Sequence, residues 1–257
     1  MGVPKITVVT PSFNQAEFID ATLHSVHVQQ YPNLEHIVID GGSTDGSVEI
    51  IEKYADRLAT WVSEPDQGQA DGISKGFARA TGDIYAWLNS DDLYEPYTLA
   101  EVADYFTNNP SSRVVYGDSL WVDRHGGPIR RKAEHGFNRF IWMYDHNFLP
   151  QPSTFWRADL YHEVGGVDST FDLAIDTDLW IRFAQVSRID HVRRTWSRMR
   201  FYPEQKNIAL RARSDEEDRR IRNRYLPAQR DWQRKTKRLA ARGMRIGWKL
   251  ATGRYGR

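Results

Sequence analysis

Five short runs rich in β-branched and aromatic residues, at 5–10, 34–40, 60–63, 84–89 and 113–117, punctuate the first half of this chain. Between them lie stretches at 15–30, 47–58, 67–81 and 96–109 that read as helices; Ile19, Leu23 and Val26, for example, recur at helical spacing. Strands that alternate with helices through short connections pair in parallel by right-handed crossovers, with helices covering both faces. The chain is therefore expected to be α/β, with a Rossmann-like, mostly parallel sheet. The first strand is expected to break at Pro11.

The fourth run, Ile84-Tyr85-Ala86-Trp87-Leu88, is apolar without alternation, as a strand buried on both faces must be, and it ends in Asn89-Ser90-Asp91-Asp92. Ligands of open α/β sheets bind beyond the carboxyl ends of the strands. Polar clusters at 10–14, 40–45 and 89–92 should converge on one such rim. Two carboxylates beside a diphosphate repel: at ~4 Å and an effective dielectric of ~20, each like-charge pair costs about 4 kcal/mol. A divalent Mg²⁺ or Mn²⁺ on Asp91 and Asp92 would relieve that repulsion and stabilise a departing diphosphate. Asp40 can accept an imide N–H, which uracil, thymine and guanine possess and cytosine and adenine lack; the alternative is an Asx turn or a helix cap. Asp172, Asp176 and Asp178 surround the start of a helix. They either cap it, worth about 1–2 kcal/mol, or supply a general base worth ~10²–10⁴ in rate. Lys75, Arg79, Arg130 and Arg131 are candidate phosphate contacts. His24 and His27 read as a solvated helix face rather than metal ligands, since no third ligand accompanies them.

Regularity fades after Asp118. Strands are expected at 119–123 and 129–132, joined at His125-Gly126-Gly127-Pro128, then an aromatic loop over 136–150 and a strand at 153–156. Helices follow at 158–164 and 176–186, and from Pro203 to the end with a break at Pro227. The expected organisation is one domain in two halves, 1–117 binding nucleotide and 118–202 binding acceptor, plus an extension, 203–257. Charge is sharply segregated. Residues 219–257 carry fourteen Lys or Arg and one acid, a net of +13, against −12 for 1–218. Trp232, Leu239, Ile246 and Leu250 fall near one face of that basic segment. Such a helix can lie on an anionic membrane with its cations snorkelling, or pack on the acidic body or another subunit. No nucleic-acid motif accompanies the charge. The chain has no cysteine, no run near the roughly 20 apolar residues of a membrane span, and no room for a signal peptide before its first strand, which fits the cytoplasm or its membrane face. Nine tryptophans and twelve tyrosines suit sugar stacking as well as core packing.

Taken together, the motifs resemble a family. Thr10-Pro11-Ser12-Phe13-Asn14, Val38-Ile39-Asp40 with its Gly-Gly-Ser-Thr-Asp45 tail, Ser63-Glu64-Pro65-Asp66-Gln67-Gly68, Ala80-Thr81-Gly82-Asp83 and Leu88-Asn89-Ser90-Asp91-Asp92 resemble family 2 of the glycosyltransferases over about residues 4–200. The nearest look is to the branch that builds O-antigen and other surface polysaccharides. The resemblance implies a GT-A fold and an inverting, metal-dependent transfer from a nucleoside-diphosphate sugar to a glycan or polyprenyl-linked acceptor. It implies nucleotide contacts from Thr10, Pro11, Ser12, Asn14, Asp40, Asp71, Lys75, Asn89, Ser90 and Asp91. It further implies a metal on Asp92 with Asp91, and a general base at Asp176 with Asp178 as the second choice. Ile175-Asp176 stands where the family has a Glu-Asp pair, and Ser74 replaces a common Asn. The Gln-x-x-Arg-Trp motif of processive synthases is absent, which implies one sugar per encounter. A nucleotidyltransferase and a non-catalytic nucleotide-binding protein are the rival readings; the first lacks its usual Gly-rich, Lys/Arg-bearing loop, and the second needs neither paired acids nor a base.

Overall fold

The structure, a computed structural model, describes residues 2–253 and opens with the expected strand–helix units. β1 (Ile6–Ser12) leads through α1 (Ile19–His27) to β2 (Leu34–Asp40); α2 (Ser47–Glu52) and a 3₁₀ turn lead to β3 (Thr60–Ser63), and α3 (Gln69–Phe77) to β4 (Ile84–Trp87). These four strands lie parallel in the order β3-β2-β1-β4. β1 does not break at Pro11: it runs on, pairing Pro11 with Ile39 and Ser12 with Asp40. The Val9 carbonyl accepts the Leu88 N–H on the β4 side. Pro11, two residues on, turns its missing N–H to that same side, where β4 has already ended, so no ladder bond is lost.

The second half is less regular. β5 (Leu93–Tyr94), α4 (Thr98–Asn108), β6 (Val114–Val122), β7 (Pro128–Lys132), α5 (Arg139–Tyr144), β8 (Thr154–Arg157), α6 (Ala158–Glu163), α7 (Ile175–Val186) and β9 (Ile189–Arg200) follow in order. The sheet continues β4-β8-β6-β9-β5, with β8 antiparallel to both neighbours and β7 paired to β6. The strands expected at 113–117 and 119–123 are one strand, so the two expected halves share β6. The aromatic stretch 136–150 is not all loop: α5 forms there, with Asn138 Oδ1 accepting the Ile141 N–H at 3.0 Å. β5 and β9 were not expected. β9 carries Arg193, Arg194, Arg198 and Arg200, which hide its alternation, and it is a strand because β6 lies beside it.

Helices cover both faces. On one, Val9, Ile37 and Ile39 meet Ile73 and Phe77 of α3 and Trp180 and Phe183 of α7; on the other, Val8, Ile84 and Ala86 meet Leu99, Val102 and Phe106 of α4. α3 sits so close to β1 that a Cβ on Gly76 would fall 2.3 Å from Val9 Cγ1. Five of the nine tryptophans (Trp87, Trp142, Trp156, Trp180 and Trp196) are buried, so packing accounts for most of them.

The extension forms α8 (Lys206–Ala209), α9 (Arg211–Tyr225) and α10 (Asp231–Ala251), with the break around Pro227 where expected. It packs on the body. Ile221 of α9 is buried, and α10 lies along α5, where Arg245 pairs with Asp145, Lys249 Nζ is 3.1 Å from Glu134 Oε2, and Trp248 stacks 4.9 Å from His135. The opposite side leaves Trp232, Leu239 and Leu250 exposed by 61%, 70% and 61%. Among the described residues no helix is long and apolar enough to cross a membrane. The end of the expected terminal helix, 254–257, lies outside the described residues.

Candidate active site

A cleft of about 940 Å³ opens beyond the carboxyl end of β4. Asn89, Asp92 and Arg200 line it together with Asp176 at the start of α7, Asn147 and Lys132. Thus the structure brings the acidic turn and the acceptor-side segment, 84 residues apart in sequence, into one space.

The two acids of the turn part company. The Asp92 N–H donates to the Asn89 carbonyl at 3.0 Å, a tight turn that sends adjacent side chains to different sides. Asp92 stays on the cleft, 2% exposed, with Oδ1 accepting the Arg200 N–H at 3.0 Å. Burial, then the charge of Asp91, holds its carboxyl well above the usual range. Asp91, expected as a ribose or metal contact, does not line the cleft. Its Oδ2 accepts from Tyr202 Oη at 3.0 Å and Gln205 Nε2 at 3.3 Å, and its carbonyl accepts from Arg200 Nη1. Ser90 does not line the cleft either, and its carbonyl accepts the Thr22 hydroxyl at 2.8 Å.

Asp176 Oδ2 accepts from Asn147 Nδ2 at 2.7 Å, and Oδ1 from the Thr177 N–H at 2.8 Å. Burial pushes its carboxyl up to about 6, the Thr177 and Asn147 hydrogen bonds opposing, with Asp218 and Lys132 adding smaller effects of opposite sign. Asp178, the second choice for a base, is placed elsewhere. It is 1% exposed, tied to Arg182 at 2.7 Å and to Tyr225 Oη at 3.0 Å, and does not border the cleft. Helical periodicity explains this: residues two apart point nearly opposite ways. Asp172 is held by Lys206 Nζ at 2.5 Å.

The nucleotide-side candidates gather at the ends of β1 and β2, outside this cleft. Asp40 is fully buried, and Gly42 N–H, Ser43 N–H and the Ser43 and Ser63 hydroxyls all donate to it, at 2.5–3.1 Å, so the Asx-turn alternative is realised. Thr10 Oγ1 pairs with His36 Nε2 at 3.0 Å, whereas the Ser12 hydroxyl is buried without a hydrogen-bond partner among the described residues. Asn14 has φ 52° and bridges to the 43–44 loop. On α3, Lys75 pairs with Glu64 at 3.0 Å and Asp71 at 3.2 Å. Of the four cations considered for phosphate, Arg130 alone borders the cleft; Arg79 bonds the Lys75 carbonyl and Arg131 pairs with Asp118. His27 stacks on Tyr54 and meets His36, whose pKa burial pushes down to about 3. Among the described residues no three His, Cys, Asp or Glu side chains could hold a metal by themselves.

Three residues escaped sequence reasoning. Asp66 sits within a motif that was noticed, its carboxylate packed against Gly41 so that a Cβ there would lie 2.9 Å from Oδ2. Asn147, which holds Asp176, lay in the stretch expected to be loop. Arg200 belongs to the unforeseen β9. Only Asp66 had a local signal.

The profile of glycosyl transferase family 2 matches residues 7–165. An uncharacterised glycosyltransferase of Mycobacterium tuberculosis is 31% identical over 187 residues, 72% of this chain and 71% of that protein. The mannosyltransferase PcManGT of Pyrobaculum calidifontis, solved with GDP-Man and Mn²⁺, superposes with a TM-score of 0.66 at 18% identity, covering 94% of this chain and 70% of that one. S. aureus TarS 1–349, solved with UDP-GlcNAc, gives 0.66 at 19% identity over 91% of this chain and 70% of that one; of a longer TarS chain, this one covers 37%. The nucleotidyltransferase and non-catalytic readings fall away. A mixed sheet whose first four strands are parallel, a cleft at its carboxyl rim, and a profile match over more than half the length make this chain a GT-A glycosyltransferase of family 2.

Proposed function

We propose that this enzyme moves one sugar, with inversion, from a nucleoside-diphosphate sugar to an acceptor hydroxyl, Asp176 acting as general base. The observation that carries the reading is the single cleft bordered by Asp92 and Asp176. The acceptor oxygen attacks the anomeric carbon, the bond from that carbon to the diphosphate breaks, and the hydroxyl proton passes to Asp176. One displacement inverts the centre. With its carboxyl raised to about 6, Asp176 is mostly ionised at pH 7 yet a better base than an ordinary aspartate. Asn147 fixes its orientation.

Asp92, with Asn89 beside it, fits a hard divalent cation: the donor atoms are oxygen, and burial leaves the carboxylate in want of counter-charge. Mn²⁺ or Mg²⁺, when bound, would neutralise the donor diphosphate and ease its departure. The unpartnered Ser12 hydroxyl at the end of β1 supports a nucleoside there, with Asp40 shaping the loop rather than reading the base alone. The nucleotide sugars of the two structural neighbours support the same donor class. Hydrolysis of UDP-, dTDP- and GDP-sugars, assayed with Mn²⁺, with Mg²⁺ and with EDTA, tests the reading. Turnover should need metal and vanish in Asp92→Ala; equal turnover in that variant rejects it.

The acceptor, on this reading, is a glycan on a polyprenyl carrier for a surface polysaccharide, met at the cytoplasmic face of a membrane. The outward stripe of α10, Trp232, Leu239 and Leu250, flanked by exposed Lys235 and Arg242, supports a lipid-surface contact. A Trp232→Glu, Leu239→Glu variant should lose co-sedimentation with phosphatidylglycerol vesicles while keeping donor hydrolysis. Undiminished sedimentation would reject the contact.

A further inference from the structure

The family profile ends at residue 165 and the sheet at Arg200, yet the helical extension reaches the cleft. Glu217 of α9 is 8% exposed, and one of its oxygens, Oε2, accepts three consecutive backbone N–H groups: Asp172 at 3.0 Å, Leu173 at 2.8 Å and Ala174 at 3.2 Å. Those residues immediately precede α7, and Ala174, at its N-cap, has no side-chain group with which to cap it. The segment leading to Asp176 is thus tethered by a carboxylate more than forty residues away in sequence. The same segment is gripped from outside, since Asp172 pairs with Lys206 at 2.5 Å and Arg213 at 3.5 Å. α9 itself is anchored by buried Ile221, by Arg222 on the Trp142 carbonyl, by Arg224 on Asp168 at 2.8 Å and by Tyr225 on Asp178 at 3.0 Å.

We propose that Glu217 is a positioning residue for acceptor activation: by fixing the 172–174 backbone it sets where Asp176 stands in the cleft, which makes the basic extension a working part of the active site. The inference rests on Asp176 as the general base. A buried carboxylate with three amide donors is a strong tether, because each bond is charge-assisted and removing the acceptor strands all three donors. A structural cap alone would stabilise the fold without touching the chemistry, so the test must read Asp176 itself.

The full chain, as wild type, Glu217→Ala and Glu217→Gln, would be titrated by carbon-13 carboxyl NMR, with Asp176→Asn assigning the resonance. Asp176 faces Asn147, Lys132 and Asp218 as well as its own helix, and none of these changes in the variants. In Glu217→Ala the Asp176 titration should move down towards the ordinary aspartate range as water reaches it. kcat for Mn²⁺-dependent hydrolysis of UDP-GlcNAc or GDP-mannose should fall about tenfold or more, with the acid limb of the pH–rate curve displaced and UDP and GDP affinity unchanged. Glu217→Gln keeps an acceptor oxygen and should restore most of both. An Asp176 titration in Glu217→Ala that coincides with wild type overturns the proposal, as does a Gln variant no better than Ala in a folded protein. Full activity of Asp176→Asn would instead sink the base assignment on which it rests.

Discussion

The loop that holds Asp40 and the wall of the cleft around Asp176 are built by different means. Asp40, at the end of β2, is held mainly by Gly42 and Ser43, two and three residues on, with Ser63 the most distant partner at a separation of 23. Around Asp176, apart from the adjacent Thr177 N–H, the contacts reach farther. Asp176 is oriented by Asn147 at a separation of 29, its approach segment by Glu217 at up to 45, and Asp145 is paired with Arg245 at 100. A loop held by its own neighbours depends little on the rest of the chain. A wall assembled from distant pieces is altered by changing any one of them.

The contrast can be broken most directly at its two carboxylates. Asp176→Asn should lower kcat by ~10²–10⁴ while leaving nucleotide affinity within a few-fold of wild type. A parallel loss of both would show that the two regions are not separable. Because burial raises the Asp176 pKa, the folded protein holds a proton there that the unfolded chain releases, so stability falls as pH rises from ordinary aspartate values through about 6. Asp176→Asn should therefore melt above wild type at pH 7 in a calorimetric scan. Asp178→Ala should do the reverse, costing about 1–3 kcal/mol in denaturant melts by leaving the partly buried Arg182 guanidinium and the Tyr225 hydroxyl without their carboxylate partner, with kcat of the folded enzyme falling less than in Asp176→Asn.

A pH–rate profile sharpens the comparison next. kcat should decline about tenfold per unit below pH ~6 as Asp176 is protonated; a flat profile to pH 5 points to another base. The smallest effect belongs to the loop around Asp40. Ser63→Ala removes one of several donors to Asp40 and should cost about 1 kcal/mol of stability with kcat unchanged.

Much of the first 117 residues was readable because period and punctuation carry it. Ile84 to Trp87 is a strand on composition alone, and Asp40 and Asn89 stand at strand ends in any register the pattern allows. Pro11 misled because a proline's effect depends on whether a neighbour strand is present to be denied a bond. The placement of Asp91 and Asp178 was not legible for a related reason: each sits one or two residues from a cleft carboxylate, and only the turn or helix geometry says which faces the cleft and which faces Tyr202 or Arg182. β9 was missed because its arginines disguise a strand that pairing with β6 creates. The tail's charge was legible, but not that Lys249 and Arg245 spend it on Glu134 and Asp145.

From residue order alone came the α/β class, the rim of polar strand ends, the family and the acidic turn, since each depends on interactions spanning a few residues or on a repeating period. Folding decided which carboxylate of each pair meets the cleft, how acidic it is, and that a helix beyond Pro203 tethers the segment leading to Asp176. Those outcomes arise from burial and from contacts between residues tens of positions apart, and neither is a property that a neighbouring residue can announce.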